Sequence, residues 1–378
     1  MKLTLRQQLA QFSHLLQTEL FPLLEQLTGE MKGKARRLAT VLEMIPMARF
    51  VPAAGWLGRP RKDRAAVACA FVAKAVYGFT TTRQLLDALE RDPQLRQLCG
   101  WKWAWQVPHE STFSRAFAEF ATMELPQLVH AALVRETQSG RLIGHISRDS
   151  TAIEARERFP ETPPEPAPLP RFKAWGRKRP KRGQRGLPKT RLERQRTMSL
   201  EEMVAELPRH CSLGVKTASD GNQKYWRGYK LHLDVADGQI PISAILTAAS
   251  LHDSQVAIPL ATLTAQRVTS LYDVMDTAYD AGEILDHSRS LGHVPIVKPR
   301  QSPGKKIPFQ DRREPPRKLS WAEEDRFRER TTVERVNARL KDEFGGRDIR
   351  VRGARKIMAH LMFGLLVLTA DQILKLAL

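Results

Sequence analysis

The sequence predicts an α/β fold, in which a mixed sheet flanked by helices follows an all-helical N-terminal domain. Two observations support this prediction. Residues 1–138 show apolar side chains at helical spacing together with helix-capping signals. From residue 139 onward, strand-length runs rich in Val, Ile and Leu alternate with helical stretches. We therefore divide the 378-residue chain into a helical N-terminal domain at 1–138 and a sheet-containing domain at 139–378.

The N-terminal domain contains a cluster of short helices. The first is predicted from Arg64 to Tyr77, ending at Gly78, and the second follows a cap at Thr80 to Thr82. A third helix is predicted to start at Asp92-Pro93, and a fourth runs from Phe113 to Phe120, capped by Ser111 or Thr112. Such a cluster is typical either of a helix-turn-helix-like unit that binds DNA or of a bundle that only packs on the second domain. If the unit binds DNA, Ser111, Ser114 and Arg115 are the candidate contacts.

The second domain has a defined order of elements. A strand at Leu142 to Thr151 precedes strands at Leu213 to Ala218, Tyr225 to Val235 and Ile240 to Leu246, the last two joined as a hairpin at Asp237-Gly238. A helix, a strand ending near Asp276, a further helix, a short strand at Val294 to Val297 and a helix containing Glu334 follow. We interpret Asp253 as the N-cap of the first of these helices rather than as a ligand.

A long insertion interrupts this order at about residues 156–208. Pro160 to Pro170 holds six prolines, and Arg171 to Met198 holds twelve Lys or Arg against one acidic residue. Such a composition cannot bury enough apolar surface to fold alone, so we expect the insertion to be disordered. A solvated linker is the simpler interpretation, but the density of cations favours nonspecific DNA contact. The candidate contacts are Arg177, Lys178, Arg179, Lys181 and Arg182.

The composition indicates a polyanionic partner. The formal net charge is +20, and no basic amphipathic anchor stands out, so DNA or RNA is favoured over a membrane. The three cysteines show no paired spacing, which argues against a disulfide framework or a zinc site and fits the reducing cytosol. No signal peptide is recognisable, and the apolar run Leu361 to Ala370 is too short to span a bilayer.

Three acidic residues are the candidate catalytic groups. The predicted helix from Phe327 to Lys341 would hold Arg330, Glu334 and Lys341 on one stripe, which by itself is more typical of a solvated face with ion pairs. Upstream, Asp149 and Asp276 each end a strand-like run. Three converging carboxylates are hard oxygen ligands suited to two Mg²⁺ or Mn²⁺ ions in phosphodiester chemistry.

The motifs resemble those of the DDE transposases of bacterial insertion sequences, in the broad group that includes the IS4 and IS5 elements. In that group's helix signature, Arg330, Glu334 and Lys341 match, and Phe327 stands where Tyr is usual. The turn Asp149-Ser150-Thr151 and the run Asp276-Thr277-Ala278-Tyr279-Asp280 match the two Asp motifs. Gly228 to Leu233 is similar to the group's strand with Lys230 and His232.

The resemblance implies a ribonuclease H-like catalytic domain that cleaves DNA and transfers strands at the ends of an insertion sequence. One ion held by Asp149 and Asp276 would activate water and then a 3′ hydroxyl, and a second held by Asp149 and Glu334 would stabilise the leaving oxygen. Arg330 and Lys341 would bind phosphates, and Lys230 and His232 are further phosphate-contact candidates. The expected partners are double-stranded DNA, as terminal inverted repeats and target, and a second copy in a synaptic homodimer.

Two alternatives belong to other functional classes. A DNA-binding protein of transposase descent that no longer cuts would keep the basic surface without needing three acidic ligands. A ribonuclease or resolvase on the same fold would not need the transposase signature. We expect a cytoplasmic, nucleoid-associated enzyme that depends on two Mg²⁺ or Mn²⁺ ions.

Overall fold

Helices form the described chain before residue 142. The computed structural model describes residues 4–45, 47–51, 63–159, 189–217, 221–299 and 319–376. The N-terminal α-helices are α1 (Leu5–Leu15), α2 (Phe21–Thr28), α3 (Gly33–Met44), α4 (Arg64–Tyr77), α5 (Thr82–Arg91), α6 (Pro93–Leu98), α7 (Glu110–Thr122) and α8 (Leu125–Gln138). A π-helical turn, Leu16–Leu20, joins α1 to α2.

Local capping explains where several of these helices begin and end. The carboxylate of Asp63 accepts hydrogen bonds from the backbone of Ala65 and Ala66 at the start of α4, and Gly78 ends that helix at φ 74°. Asp92 caps α6 in the same way, as predicted. The prediction for α7 is wrong, because the side chain of His109 caps it by accepting from the Ser111 backbone.

The described residues from 142 onward form a six-stranded mixed sheet with helices around it. The strands are β1 (Leu142–Glu154), β2 (Ser212–Thr217), β3 (Gln223–Ala236), β4 (Ile240–Ala248), β5 (Thr269–Met275) and β6 (Val294–Val297). The helices are α9 (Arg191–Gln195), α10 (Leu200–Glu206), α11 (Ser254–Ala265), α12 (Gly282–Ser290), α13 (Trp321–Phe327), α14 (Thr331–Asp342) and α15 (Ala354–Lys375).

Strand β1 lies at the centre of the sheet. It pairs with β3 in antiparallel fashion and with β5 in parallel fashion, and β6 extends the parallel side. The other edge of β3 pairs with β4, and β2 pairs with the first part of β3. The strand order is therefore β2-β3-β1-β5-β6, with β4 joined to β3. The predicted order of strands and helices is confirmed.

The expectation of a disordered insertion at 156–208 is wrong for its last part. Residues 191–195 and 200–206 form α9 and α10, and each has a capping box, with Thr190 and Ser199 as the N-caps. Met203 of α10 is buried beside Ile258 of α11 in a small apolar cluster. Residues 160–188 lie outside the described residues.

Helix α15 is the main packing element between the N-terminal helices and the sheet. The rings of Phe71 and Phe363 lie 5.6 Å apart, and His130 of α8 is hydrogen-bonded to Thr369 at 3.1 Å. One hydrophobic cluster therefore includes side chains from α4, α7, α8, α15 and the sheet. Among the described residues, α15 is long and apolar enough to cross a membrane, as is the bent pair α4 and α5 taken together. In α15, 72% of the most apolar 18-residue stretch is buried within the protein.

Candidate active site

Asp149 and Asp276 lie on neighbouring strands. In the parallel pairing of β1 with β5, Arg148 is opposite Met275, and the two aspartates are the next residue along each chain. The carboxylate of Asp276 accepts from the backbone of Thr277 at 2.6 Å, which fixes the turn after β5. Asp149 does not end its strand as predicted, because β1 continues to Glu154 in register with β3.

The environment of Asp149 is unfavourable for a negative charge. Burial raises the pKa of Asp149 to about 6, and the charges of Asp253 and Glu334 contribute to the increase. The backbone of Ser150 and the ammonium group of Lys216 oppose it. Asp149 is therefore mainly a buried carboxylate, whose negative charge a bound cation would stabilise.

Glu334 lies on α14, which packs against β1. Its carboxylate accepts from the guanidinium of Arg330 at 2.7 Å, and its side chain is 46% exposed. The predicted continuous helix is wrong in one detail, because a short 3₁₀ turn at Arg328–Arg330 separates α13 from α14. The ring of Phe327 lies 4.8 Å from the ammonium group of Lys298. The predicted pairing of Arg330 with Glu334 is thus present.

The described residues contain no group of three or more His, Cys, Asp or Glu side chains arranged to hold a metal ion. In this conformation, Asp149, Asp276 and Glu334 therefore do not form a complete ligand set. Their chemistry still fits a hard divalent cation, since Asp149 and Asp276 are adjacent and the Glu334 charge acts on Asp149. Arg330 binds Oε1 of Glu334, one of the two carboxylate oxygens that could bind a metal ion.

Two predicted phosphate contacts on β3 have other roles in the structure. The ammonium group of Lys230 donates to the carboxylate of Asp253 and to the carbonyl of Leu251, both at 2.9 Å. His232 is fully buried and hydrogen-bonded to Thr247, and burial lowers its pKa to about 4. The prediction that His232 contacts phosphate is wrong, because a neutral, buried ring cannot reach DNA.

Asp253 corrects a further prediction. Its backbone is already helical at the start of α11, and its side chain makes no capping hydrogen bond. The carboxylate instead binds Lys230 and the side chain of Ser150, which adjoins Asp149. Asp253 is therefore part of the surroundings of Asp149. The sequence feature that could have indicated this is the pair His252-Asp253, which places an acid shortly after the β3–β4 hairpin.

A buried ion pair beneath the site was not predicted. Arg148 donates from two nitrogens to the two carboxylate oxygens of Asp234, each at 2.7 Å, and Thr264 donates to the same carboxylate at 2.6 Å. Both charged side chains are almost completely buried. Arg148 and Asp234 are directly opposite each other in the antiparallel pairing of β1 with β3, a register that the sequence analysis did not specify.

The other predicted DNA contacts differ in what the structure describes of them. Lys341 lies near the C-terminal end of α14, and its pKa is lowered by burial and by the nearby charges of Arg347 and Lys216. Among the described residues, Lys341 has no ion-pair partner. The predicted contacts in the insertion lie outside the described residues: Arg177, Lys178, Arg179, Lys181 and Arg182.

Comparison with protein families gives two matches. Residues 199–370 match the model described as the transposase DDE domain, and residues 25–119 match that of a second transposase domain, DUF772. Asp276 and Glu334 lie within the first match, whereas Asp149 precedes it. No curated protein and no solved structure matches the chain. The two matches support a DNA transposase function, and the first indicates a nuclease-type enzyme, which implies DNA binding.

Proposed function

We propose that the chain is a DDE transposase of the IS4/IS5-like group that cleaves and rejoins DNA strands at the ends of an insertion sequence. The pairing of β1 with β5 is the observation that supports this best, because Asp149 and Asp276 directly follow the last residues of these two strands that pair with each other. The antiparallel β1, β3 and β4 beside the parallel β5 and β6 favour a ribonuclease H-like catalytic domain at 139–378. We assign residues 1–138 to a helical N-terminal domain.

In the proposed mechanism, Asp149, Asp276 and Glu334 would hold divalent cations, Mg²⁺ or Mn²⁺. When bound, two such ions supply activation of the attacking oxygen and stabilisation of the leaving oxygen. Arg330 holds the Glu334 carboxylate, and the remaining donors of its guanidinium would bind phosphate. Lys341, which has no ion pair among the described residues, lies two turns along the same helix and is suited to a second phosphate of the DNA end.

The surrounding residues position these groups. Arg148 and Asp234 fix β1 to β3 directly beside Asp149, so the backbone under the site is held by a buried ion pair. Lys230 and Ser150 hold Asp253 next to Asp149. The substrate would be double-stranded DNA, with a second copy of the chain at the paired ends, and the reaction would take place in the cytoplasm.

Strand cleavage by two variants tests this proposal. Asp149→Asn and Asp276→Asn should each abolish Mg²⁺-dependent nicking of a duplex that contains the ends of the element, while binding to that duplex is retained. Asp286→Asn, which changes an exposed carboxylate paired with Arg289, is the matched control and should cleave as the wild type does. DNA binding by the wild type without any cleavage would indicate a protein that no longer cuts. Cleavage by either active-site variant at the wild-type rate would refute the assignment.

A further inference from the structure

A cleft lies between the N-terminal helices and the end of the catalytic helix α14. Its volume is about 630 Å³, and its walls come from α4, the start of α5, α7, the segment after α14 and the start of α15. Five cationic side chains line it: Lys74, Lys341, Arg350, Arg352 and Lys356. Lys341, a proposed phosphate contact of the DNA end, is one of its lining residues, whereas Asp149, Asp276 and Glu334 are not.

The structure describes no ion pair for the cations of this cleft. Among the described residues, none of the five side chains takes part in an ion pair or a side-chain hydrogen bond. Four acids also line the cleft, and two of them are engaged elsewhere, because Asp342 binds Arg347 at 2.7 Å and Glu343 binds Arg339 at 3.0 Å. The five cations therefore face Glu110 and Asp348, so positive charge is in excess inside the cleft.

Lys74 is the most enclosed of these cations. Burial lowers its pKa to about 8, and the repulsion of Arg350 adds to the decrease, although Asp348 opposes it. A lysine in such a place is stabilised when an anion enters the cleft. Ser114 of α7, a residue that the sequence suggested for DNA contact, lines the same space.

The start of α15 carries two cations, and the carboxylate of Glu157 already lies at its N-terminal end. Its first turn contains Arg355 and Lys356 and no acidic residue, although cations are unfavourable at the positive end of a helix. The backbone of Gly353 donates to Glu157 at 2.6 Å, and Tyr229 donates to the same carboxylate at 2.9 Å. This turn is thus anchored to the chain that leaves β1, with its cations held at the surface.

The positive side chains continue beyond the cleft. An adjoining depression shares Arg352 and Lys356 with it and adds Arg209 and Arg355. Cations spread over two adjoining depressions suit an extended chain of phosphates better than a single small anion. We propose that this cationic groove, from Lys341 through Arg350 and Arg352 to Lys356, binds the phosphate backbone of duplex DNA next to the end being cut. The proposal rests on the proposed transposase function and adds a binding surface to it.

The triple variant Arg350→Ala/Arg352→Ala/Lys356→Ala tests the groove, since all three side chains are exposed and none belongs to the proposed catalytic set. Binding to a fluorescent duplex is measured by anisotropy over a range of salt concentrations. The affinity should fall by roughly tenfold or more, and the slope of log K against log salt should decrease by about 3, near one per lost phosphate contact. The charge-conserving variant Arg350→Lys/Arg352→Lys/Lys356→Arg should bind nearly as the wild type does.

A second triple variant provides the matched control. Arg49→Ala/Arg91→Ala/Lys102→Ala removes the same charge from exposed positions that do not line the cleft, and it should change neither affinity nor slope substantially. Equal losses in both alanine variants, or no loss in the groove variant, would overturn the groove while wild-type cleavage leaves the proposed function intact. Failure of the wild type to bind duplex DNA, or tighter binding to an RNA duplex of the same sequence, would overturn the groove and the proposed function alike.

Discussion

The ammonium group of Lys230 and the carboxylate of Asp253 form an ion pair at 2.9 Å beside Asp149. Their side chains are only 15% and 23% exposed, so the pair is poorly accessible to solvent and to DNA. Lys230 also donates to the carbonyl of Leu251, which uses two of its three donor hydrogens. In this structure, Lys230 is therefore a positioning residue for Asp253, and its suggested contact with phosphate requires the pair to open.

Lys230→Met should accordingly affect stability more than DNA binding. Loss of the charged partner should lower the free energy of unfolding by about 1–3 kcal/mol, as measured by urea denaturation. The salt dependence of duplex binding should be unchanged, whereas the loss of a phosphate contact would reduce the slope by about 0.9. Lys224→Met, at an exposed lysine on the same strand, should change stability by no more than about 0.5 kcal/mol. A reduced slope with unchanged stability would assign Lys230 to the DNA instead.

The Arg148–Asp234 pair predicts a larger effect. Arg148→Met leaves a carboxylate buried without its partner, which should reduce the free energy of unfolding by about 3–5 kcal/mol. The double variant Arg148→Met/Asp234→Leu should recover part of this loss, since Asp234 is no longer an unpaired charge, although the buried Asp273 still lacks the favourable charge of Arg148. Arg289→Met breaks an exposed pair and should cost less than about 1 kcal/mol. A small loss in Arg148→Met would show that water or another group can satisfy Asp234.

The order of the elements was predictable because its signals are local. Apolar runs mark the strands, Asp237-Gly238 marks the β3–β4 turn, and Asp63, Thr81 and Asp92 cap the helices after them. The extension of β1 to Glu154 was not predictable from its own residues, since Asp149 to Glu154 forms strand only because β3 is long enough to pair with it. The 3₁₀ turn at Arg328–Arg330 likewise has no Gly or Pro to indicate it.

For the candidate site too, local signals could be read from the sequence, whereas long-range contacts could not. Asp149, Asp276 and Glu334 were predicted from their positions in strand-like runs and on a charged helix, and from the resemblance of motifs. The register of β1 with β5 places the first two at equivalent positions on neighbouring strands. The partners of Asp253 and Arg148 depend on contacts between strands and helices distant in sequence, which a single sequence does not specify. His232 was predicted to contact phosphate because the alternation of residues along β3 indicates which face of the sheet it lies on. That alternation does not indicate which elements cover the face, and the side chain of His232 is fully buried.

The raised pKa of Asp149 predicts a pH dependence of stability in the metal-free protein. Its pKa in the folded protein is about 6 against 3.8 for the free group, so the folded state binds this proton more tightly than the unfolded state does. The resulting destabilisation is absent below pH 4, grows up to about pH 6 and stays constant above it. Asp149→Asn should therefore be more stable than the wild type at pH 7–8 by up to about 3 kcal/mol, with no difference near pH 4. Urea unfolding in a chelator from pH 4 to 8 measures this.

Two comparisons sharpen that measurement. Asp286→Asn, at an exposed carboxylate, should show no such pH-dependent gain. Added Mg²⁺ should stabilise the wild type and reduce its difference from Asp149→Asn, because an ion that binds only the folded state raises its stability. A gain that is the same at pH 4 and pH 8 would mean that packing, and not the ionised carboxylate, causes it.

Glu334 and Lys341 stand two turns apart on α14, and the loss of each should have a different consequence. Glu334→Gln removes a proposed metal ligand while leaving the half-exposed surface intact, so cleavage should stop at every Mg²⁺ concentration, or be only weakly restored by Mn²⁺, with the DNA ends still bound. Because the pair with Arg330 is exposed, stability should change by less than about 1 kcal/mol. Lys341→Ala removes a cation, so it should weaken end binding and reduce cleavage in a way that lower salt restores.

Calorimetry of metal binding and gel-shift measurement of end binding distinguish the two residues on α14. Arg335→Ala, an exposed residue on the same helix whose guanidinium bonds only to Thr331 among the described residues, is the control and should retain both activities. If Lys341→Ala lost metal binding and Glu334→Gln lost DNA binding, the roles assigned to the two residues would have to be exchanged. Because Lys341 also lines the cationic groove, its loss combined with the groove variant should weaken binding by less than the sum of the two if both contact the same stretch of backbone.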